Sequence, residues 1–386
     1  MCEILQLHAL QCACHAAKTG FVQKVLSLAV LTISLAVGST WPASLAWPQD
    51  LTGKVFLILP DFHTARFEKF DRPAFVKAMK ELAPSVEVKV LNSENNVQRQ
   101  MSQVQAAITE GAKAIVLSAV DPKQAAGILN LAKQAGVPVI CHGHACDDGP
   151  AYAYVAAPYV EVGQKQAKAA AEVIETMFAR KGKPVRLAKI YGDPKWPFYH
   201  DQIRGIAEFL DPLVAARKLE VVCQADVLLW LPASAQTAMT QCLTKTNNGV
   251  DAIFVMNDDT GGAALAAVEA AGLKDVKLFG GYDASLAGVQ RVAAGVQEMD
   301  MTVDYAAVNK LAAEMALHAM RGEPIPASYA PKRYDNGYPG GIPEVDSSNV
   351  VITRDNLRTT VIDAGLFTKE QVCAKSIAAA SPFCRP

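Results

Sequence analysis

From residue 55 onward, short apolar runs rich in β-branched residues alternate with longer stretches in which apolar residues recur every three or four positions. The short runs predict buried strands, and the longer stretches predict amphipathic helices. In the first half of the chain we predict strands at residues 55–59, 86–91, 114–118, 137–141 and 153–157. Strands that alternate with helices of this length require crossover connections, so the pattern favours a parallel sheet covered by helices.

The same alternation begins again after a predicted helix at residues 160–179. The second set of predicted strands covers residues 186–191, 219–223, 252–256 and 276–280. A predicted helix at 305–321 is followed by a segment rich in proline, glycine and tyrosine and by a last predicted strand at 350–353. We therefore predict an α/β protein with two successive doubly wound, Rossmann-like sheets, which bind ligands at the carboxyl ends of their strands.

Residues 1–50 do not follow this pattern. Residues 25–37 form an uninterrupted run without charge, preceded by Lys24 and followed by the small-x-small site Ser44-Leu45-Ala46. These are the three parts of a secretory signal peptide. A transmembrane anchor is the alternative, but a span needs about 20 apolar residues and this run stops at Gly38. We predict export, with cleavage near Ala46.

Composition and cysteine count narrow the picture further. Apolar residues make up 51% of the chain, and 37 basic residues balance 38 acidic ones. This excludes a disordered chain and a nucleic-acid binder that works through bulk positive charge. Of the nine cysteines, six follow the predicted cleavage site, and an even number in an oxidising compartment favours disulfides. Six cysteines allow about 15 pairings, of which the pairing of sequence neighbours needs the least reorganisation: Cys141–Cys146, Cys223–Cys242 and Cys373–Cys384.

The sequence contains no recognisable catalytic motif. It has no phosphate-binding glycine loop, no GxGxxG after a strand, no GxSxG and no HExxH, so we predict neither catalytic residues nor a cofactor. The densest group of metal-ligating residue types lies at 141–148, where His142 and His144 accompany two cysteines and two aspartates. Its spacing matches no zinc motif. A disulfide with one histidine facing a crevice is favoured, and a metal receptor using both histidines is the alternative.

Aromatic residues occupy many of the predicted strand-to-helix loops. They are Phe62, Phe67, Tyr159, Trp196, Phe198, Tyr199, Trp230 and Tyr282. Aromatic rings at a crevice stack on flat apolar ligand surfaces, including the C–H faces of sugar rings, although core packing is the alternative for each ring. Asn257 and Asp283 end two predicted strands, where such side chains either bind vicinal hydroxyls or cap the next helix.

Several motifs, taken in order, carry a resemblance to a known family. They are Arg66-Phe67-Glu68-Lys69, Gln100-Met101-Ser102-Gln103, Trp230-Leu231-Pro232, Asn257-Asp258, YDASLAG at 282–288 and TVIDAGL at 360–366. Over nearly the whole mature chain the sequence resembles the type I periplasmic solute-binding proteins of ABC sugar importers, and most closely their D-xylose-binding branch. The resemblance implies a periplasmic monomer that closes on one small-molecule ligand, delivers it to an inner-membrane ABC permease and binds no nucleic acid.

The resemblance also implies two lobes joined by a hinge of three crossing strands. On this basis we expect a signal peptide, an N-terminal lobe, a C-terminal lobe and a tail. The signal peptide covers residues 1–46 and the tail covers residues 373–386. The N-terminal lobe consists of residues 53–157 and 303–330, and the C-terminal lobe consists of residues 158–302 and 331–372.

The chain departs from the family at the ligand site. Where sugar binders of the family carry an Asp-Arg pair and an Asp-Asn pair, this sequence has Gly143-His144 and Pro158-Tyr159. His200 and Val303 stand at the places of an arginine and a lysine. Each lost charge-assisted contact is worth about 1.5–3 kcal/mol, which indicates a ligand less polar than a simple aldose.

Such a ligand is a modified sugar, a cyclic or aromatic compound, or a lipid such as a sterol. A receptor for an ordinary xylose- or ribose-like sugar and a carrier or chemosensor for an apolar ligand are the alternatives. The predicted ligand contacts are Phe62, Arg66, Phe67, His144, Tyr159, Trp196, Phe198, His200, Trp230, Asn257 and Asp283.

Overall fold

The computed structural model describes residues 51–374 and 381–385. The strands in chain order are β1 (Gly53–Leu59), β2 (Val86–Asn92), β3 (Ala112–Leu117), β4 (Val139–His142), β5 (Ala153–Ala156), β6 (Val185–Tyr191), β7 (Leu219–Asp226), β8 (Ala252–Val255), β9 (Lys277–Gly280), β10 (Asp300–Val303), β11 (Lys332–Tyr334), β12 (Ile342–Asp346) and β13 (Asn349–Ile352). The α-helices are α1 (Arg72–Leu82), α2 (Val97–Thr109), α3 (Ala125–Gln134), α4 (Tyr159–Lys181), α5 (Pro197–Ala215), α6 (Pro232–Lys245), α7 (Asp258–Ala270), α8 (Leu286–Ala294), α9 (Tyr305–Met320) and α10 (Lys369–Val372). The predicted signal peptide lies outside the described residues, and none of the helices within them has the length and apolar character needed to cross a bilayer.

Two sheets form the centres of two lobes. The first sheet has seven strands in the order β11-β12-β5-β4-β3-β1-β2, and all neighbours are parallel except β11 and β12. The second sheet has four parallel strands in the order β7-β6-β8-β9. The predicted α/β class with two Rossmann-like lobes is confirmed.

The side chains of β1 explain why the first sheet is covered on both faces. Val55, Leu57 and Leu59 belong to one apolar core, whereas Phe56 and Ile58 belong to the core on the opposite face. None of these five side chains is more than 1% exposed. A continuous apolar run is what a parallel strand requires when helices pack on both sides of its sheet, and burial of each side chain contributes about 1.5–3 kcal/mol.

Three connections join the lobes. Residues 157–158 lead from β5 into α4, and β10 and β13 pair with each other as a separate antiparallel ladder. We predicted that residues 331–372 complete the C-terminal lobe, which is wrong for β11 and β12, because they extend the first sheet beside β5. The segment before β12 is rich in glycine and proline and shows no apolar alternation, so pairing with β5 rather than local propensity determines its place.

All three predicted disulfides are present, namely Cys141–Cys146, Cys223–Cys242 and Cys373–Cys384. The first of them closes the turn that follows β4. This bridge holds a loop at the carboxyl edge of the first sheet, where the candidate site lies.

Candidate ligand-binding site

A cavity of about 340 Å³ lies where the carboxyl ends of the two sheets meet. The first lobe contributes the loops after β1, β2 and β3 and the turn after β4, and the second lobe contributes the start of α4 and the loops after β6, β7, β8 and β9. Open α/β sheets bind ligands at this edge. The volume falls within the range of about 300–1,000 Å³ that is usual for small-molecule sites.

The structure brings nine of the eleven predicted contact residues to the wall of this cavity. They are Arg66, Phe67, His144, Tyr159, Trp196, Phe198, Trp230, Asn257 and Asp283. Seven different chain segments supply them, so the fold gathers positions that are far apart in the sequence.

Phe62 and His200 are not part of the cavity wall. Phe62 is 54% exposed, although the residues on either side of it line the cavity. His200 is exposed, and its Nε2 lies 2.9 Å from the carbonyl oxygen of Pro194. Because α5 begins at Pro197 and each helical residue turns by about 100°, His200 points away from the side on which Phe198 meets the cavity. The structure therefore places His200, which we predicted at the position of a ligand-binding arginine, outside the cavity wall.

Phe198 is the centre of a group of rings that we call the aromatic wall. Its ring centroid lies 4.8 Å from Tyr159, 5.6 Å from Trp196 and 6.0 Å from Trp230, in a stacked orientation each time. The imidazole of His144 joins this wall from the first lobe, 4.2 Å from Trp196. These five residues offer a broad apolar surface to a ring-shaped ligand.

His144 is a neutral member of the aromatic wall. Burial lowers the pKa of its imidazole to about 3. Nδ1 donates to the carbonyl oxygen of Ala119 at 2.7 Å, so Nε2 keeps its lone pair and is an acceptor. The ring offers one acceptor and an apolar face, where an arginine would offer a charge and five donors.

The neighbouring His142 does not complete a metal site. It is fully buried, and burial lowers its pKa to about 4. Cys141 and Cys146, the thiols nearest to it in the sequence, are joined in a disulfide. Within residues 51–374 and 381–385, no three histidine, cysteine, aspartate or glutamate side chains are arranged to hold a metal ion.

Arg66 and Asp283 form the polar end of the cavity. Nε of Arg66 donates to Asp71 at 3.0 Å, and Asn309 donates to the other oxygen of Asp71 at 2.8 Å. Although burial opposes ionisation, the Arg66 guanidinium helps to hold the pKa of Asp71 below its usual value. Nη1 of Arg66 lies 3.9 Å from Oδ1 of Asp283. This distance is too long for a hydrogen bond, but one ligand hydroxyl can contact both groups.

The carboxyl of Asp283 titrates near neutral pH. Burial raises its pKa to about 7, the Arg66 guanidinium opposes the shift, and the carboxylates of Asp258 and Asp259 add to it. The backbone oxygen of Asp283 accepts a hydrogen bond from the hydroxyl of Tyr305 at 2.8 Å. The backbone is therefore held while the carboxyl remains available to a ligand.

Asn257 caps α7 and lines the cavity at the same time. Its side-chain oxygen accepts a hydrogen bond from the backbone N–H of Thr260 at 3.2 Å. The amide NH₂ group, a donor, is thus the part of Asn257 that suits a ligand. Asp259, in the first turn of α7, also lines the cavity, and burial raises the pKa of its carboxyl.

Several cavity residues are not among the contacts predicted from the sequence. Asp61 and Asn95 follow β1 and β2, so the strand-end rule would have identified both. Lys195 joins the lobes, because its Nζ lies 3.4 Å from the carbonyl oxygen of Val120 and 3.7 Å from Asp121. No local pattern marks that contact. The other lining residues outside the set of predicted contacts are Pro60, His63, Thr64, Val120, Gln202, Leu229, Leu231, Pro232, Met256, Asp259 and Tyr282.

Two doubly wound lobes around one cavity with an aromatic wall and a polar end define a two-lobed ligand-binding protein. A family model described as a periplasmic binding protein domain matches residues 55–324. The chain belongs to this family. Membership confirms the predicted resemblance and the prediction of a transport receptor rather than an enzyme, and it implies a small-molecule ligand and a membrane permease partner.

Named relatives and solved structures agree with this assignment. The D-xylose-binding periplasmic protein of Escherichia coli is 31% identical over 82% of this chain and 91% of its own length. The protein of the same name from Haemophilus influenzae is 29% identical over 86% and 94%. An ABC transporter solute-binding protein from Clostridium phytofermentans with bound β-D-glucose has a TM-score of 0.73 and 24% identity over 83% of this chain and 99% of that chain. The last likeness concerns the fold alone.

Proposed function

We propose that this chain is the periplasmic receptor of an ABC importer and closes its lobes on one cyclic, partly hydroxylated ligand. The cavity carries the proposal, because it combines the aromatic wall and the polar end in a volume of about 340 Å³. The names of the D-xylose-binding relatives support a carbohydrate or a close derivative as the ligand.

We propose further that the ligand is less polar than a simple aldose. Arg66, Asn257 and Asp283 provide donors and acceptors for one hydroxylated edge, and a hydrogen bond to a charged group contributes about 1.5–3 kcal/mol. The aromatic wall instead offers stacking, worth about 0.5–1.5 kcal/mol for a ring pair beyond the burial of area. A sugar ring with an alkyl, aryl or deoxy modification uses both surfaces.

A receptor for an ordinary pentose is the second candidate, and one observation favours it. The guanidinium of Arg66 lies beside Gly143, since a Cβ built on Gly143 would be 3.6 Å from Nη2 of Arg66. The cavity therefore holds a charged donor close to the place where the family resemblance implies an arginine. This charged donor, the guanidinium of Arg66, comes from the loop after β1.

Calorimetry on residues 47–386 distinguishes the two candidates. The probes are D-xylose, D-ribose, myo-inositol, methyl β-D-xylopyranoside and phenyl β-D-xylopyranoside. We expect the phenyl glycoside to bind about tenfold more tightly than D-xylose because its aryl group reaches the aromatic wall. Phe198→Leu should reduce this preference, whereas the matched control Phe62→Leu, at an exposed position away from the cavity wall, should leave it unchanged.

Three results would contradict the proposal in different ways. Nanomolar binding of D-xylose, with no higher affinity for the methyl or the phenyl xylopyranoside, identifies the ordinary pentose receptor. Binding of a sterol, which is tested as an additional probe, without binding of any glycoside identifies a carrier or chemosensor for an apolar ligand. A metal-dependent rise in melting temperature that disappears in His142→Ala/His144→Ala identifies a metal receptor.

A further inference from the structure

The loop after β7 has an unusual backbone at the edge of the cavity. Leu229 and Trp230 both lie in the left-handed region, with φ of 56° and 55°. Non-glycine residues adopt this conformation at a steric cost and persist in it where the surroundings fix them, commonly at ligand sites. Leu229 is 50% exposed, so burial of its own side chain does not account for the conformation.

Asp193 holds the backbone of Leu229 in its left-handed conformation. This residue follows β6 and is only 3% exposed. One oxygen of its carboxylate accepts the backbone N–H of Leu229 at 2.8 Å, and the other accepts the backbone N–H of Lys195 at 3.0 Å. Its carbonyl oxygen accepts the N–H of Trp196 at 3.3 Å. A single buried side chain therefore ties together the two loops that carry Trp196 and Trp230.

Gly192 provides the space for the Trp230 ring. A Cβ built on Gly192 would lie 1.8 Å from Cη2 of the Trp230 indole, well inside the distance that real atoms keep. The indole therefore packs directly on the backbone of Gly192. Any side chain at that position would move the ring.

We infer that Asp193 and Gly192 are positioning residues that fix Trp230 in the aromatic wall and thereby set the preference for ligands with an apolar face. The inference rests on the proposed function for the identity of the ligand, but the placement of Trp230 does not depend on it. Without the Asp193 carboxylate, Leu229 relaxes from its left-handed conformation and Trp230 leaves the wall. The polar end formed by Arg66 and Asp283 is unaffected.

The placement of Trp230 is testable without a ligand. Residues 47–386 are labelled with 5-fluorotryptophan, Trp230→Phe assigns the ¹⁹F resonance, and solvent exposure is read from its response to D₂O. We expect Asp193→Ala to shift this resonance to an exposed position, and Asp193→Asn to retain it in part because an amide oxygen still accepts one N–H. Leu228→Ala, a change at an exposed position of the same loop that does not line the cavity, is the matched control.

A second-site variant separates positioning from general damage to the fold. Glycine adopts the left-handed region without steric cost, so Leu229→Gly in the Asp193→Ala background should return the Trp230 resonance towards its wild-type position. Gly192→Ala should displace the resonance whether or not residue 229 is glycine. An unchanged Trp230 resonance in Asp193→Ala, with thermal unfolding showing a folded chain, would refute the inference, as would failure of Leu229→Gly to restore it.

Binding of phenyl β-D-xylopyranoside provides the functional measurement. We expect about a tenfold loss of affinity in Asp193→Ala, no loss for Leu228→Ala, and a smaller loss for Asp193→Asn. If the wild type binds none of the glycosides, the proposed ligand class fails while the ¹⁹F result still decides the role of Asp193. If the wild type binds phenyl β-D-xylopyranoside and Asp193→Ala binds it equally well, the positioning role of Asp193 is wrong even though the proposed function stands.

Discussion

We expect the affinity for a hydroxylated ligand to follow the ionisation of Asp283. Burial raises the pKa of this carboxyl to about 7 in the unliganded protein. A ligand hydroxyl donates to the ionised carboxylate, so binding favours the ionised form and lowers the pKa in the complex. Well below the unliganded pKa, affinity should therefore fall about tenfold for each pH unit, which amounts to about 50-fold between pH 7, where half of the carboxyls are ionised, and pH 5.

With rising pH, the stability of the unliganded protein should decrease, whereas the affinity for the ligand should increase. The pKa of Asp283 has a reference value of 3.8 and rises to about 7 in the folded state, so between these values the folded state binds more protons. The free energy of unfolding then decreases as the pH rises from about 4 to about 7, by up to roughly 4 kcal/mol for this carboxyl alone. Because burial also raises the pKa values of Asp61 and Asp259, only the difference between the wild type and Asp283→Asn isolates this contribution.

Isothermal titration calorimetry from pH 5 to pH 8 tests both the sign and the source of the effect. The ligand is the tightest-binding glycoside of the xyloside series, and buffers that differ in ionisation enthalpy report the protons released. Asp147→Asn is a matched control, because burial raises the pKa of Asp147 to about 6 but this residue does not line the cavity. A flat affinity profile in the wild type, or the same slope in Asp283→Asn, would refute the reasoning.

Three further predictions follow from contacts around the cavity. Arg66→Met leaves the carboxylate of Asp71 buried without its cation, so the free energy of unfolding in urea should fall by about 3–5 kcal/mol, and a change below 1 kcal/mol would contradict the buried pair. Lys195→Ala removes a partly exposed contact between the lobes, so ligand affinity should fall only a few-fold at low salt and not at all in 1 M NaCl, by calorimetry. Replacing Cys223 and Cys242 by serine opens a bridge with a sequence separation of 19 and should cost about 3 kcal/mol of stability, whereas an unchanged urea midpoint would show that the bridge does not form.

The parts of the fold that could be predicted from sequence are those fixed by local pattern. β1 was predictable because all of its central side chains are apolar, and only a strand buried on both faces requires that. Asn257 and Asp283 were predictable as cavity residues because each ends a parallel strand. β11 and β12 could not be predicted in this way. The formation of short strands in a glycine-rich segment at the edge of a sheet depends on pairing with a strand that lies far away in the sequence.

Orientation was harder to predict than position. His200 lies in the expected loop-helix segment, yet a rotation of about 200° along α5 from Phe198 turns it outward. Lys195 was missed for a different reason. Its partners, the carbonyl oxygen of Val120 and the carboxylate of Asp121, belong to the other lobe, so only the relative placement of the lobes reveals the contact.

Arg66 shows why residue-by-residue comparison understated the polarity of the cavity. The family resemblance implies an arginine at the position that His144 occupies, and the absence of that arginine predicts a ligand less polar than a simple aldose, although Arg66 is itself among the predicted contacts. The guanidinium of Arg66 instead enters beside Gly143 from the loop after β1. Its Nε is already bonded to Asp71, so this cation is fixed before the ligand arrives. A ligand hydroxyl bridging Arg66 and Asp283 would find both groups in place, which reduces the cost of ordering them on binding. The ligand is therefore distinguished less by the total charge of the cavity than by having one hydroxylated edge opposite an apolar face.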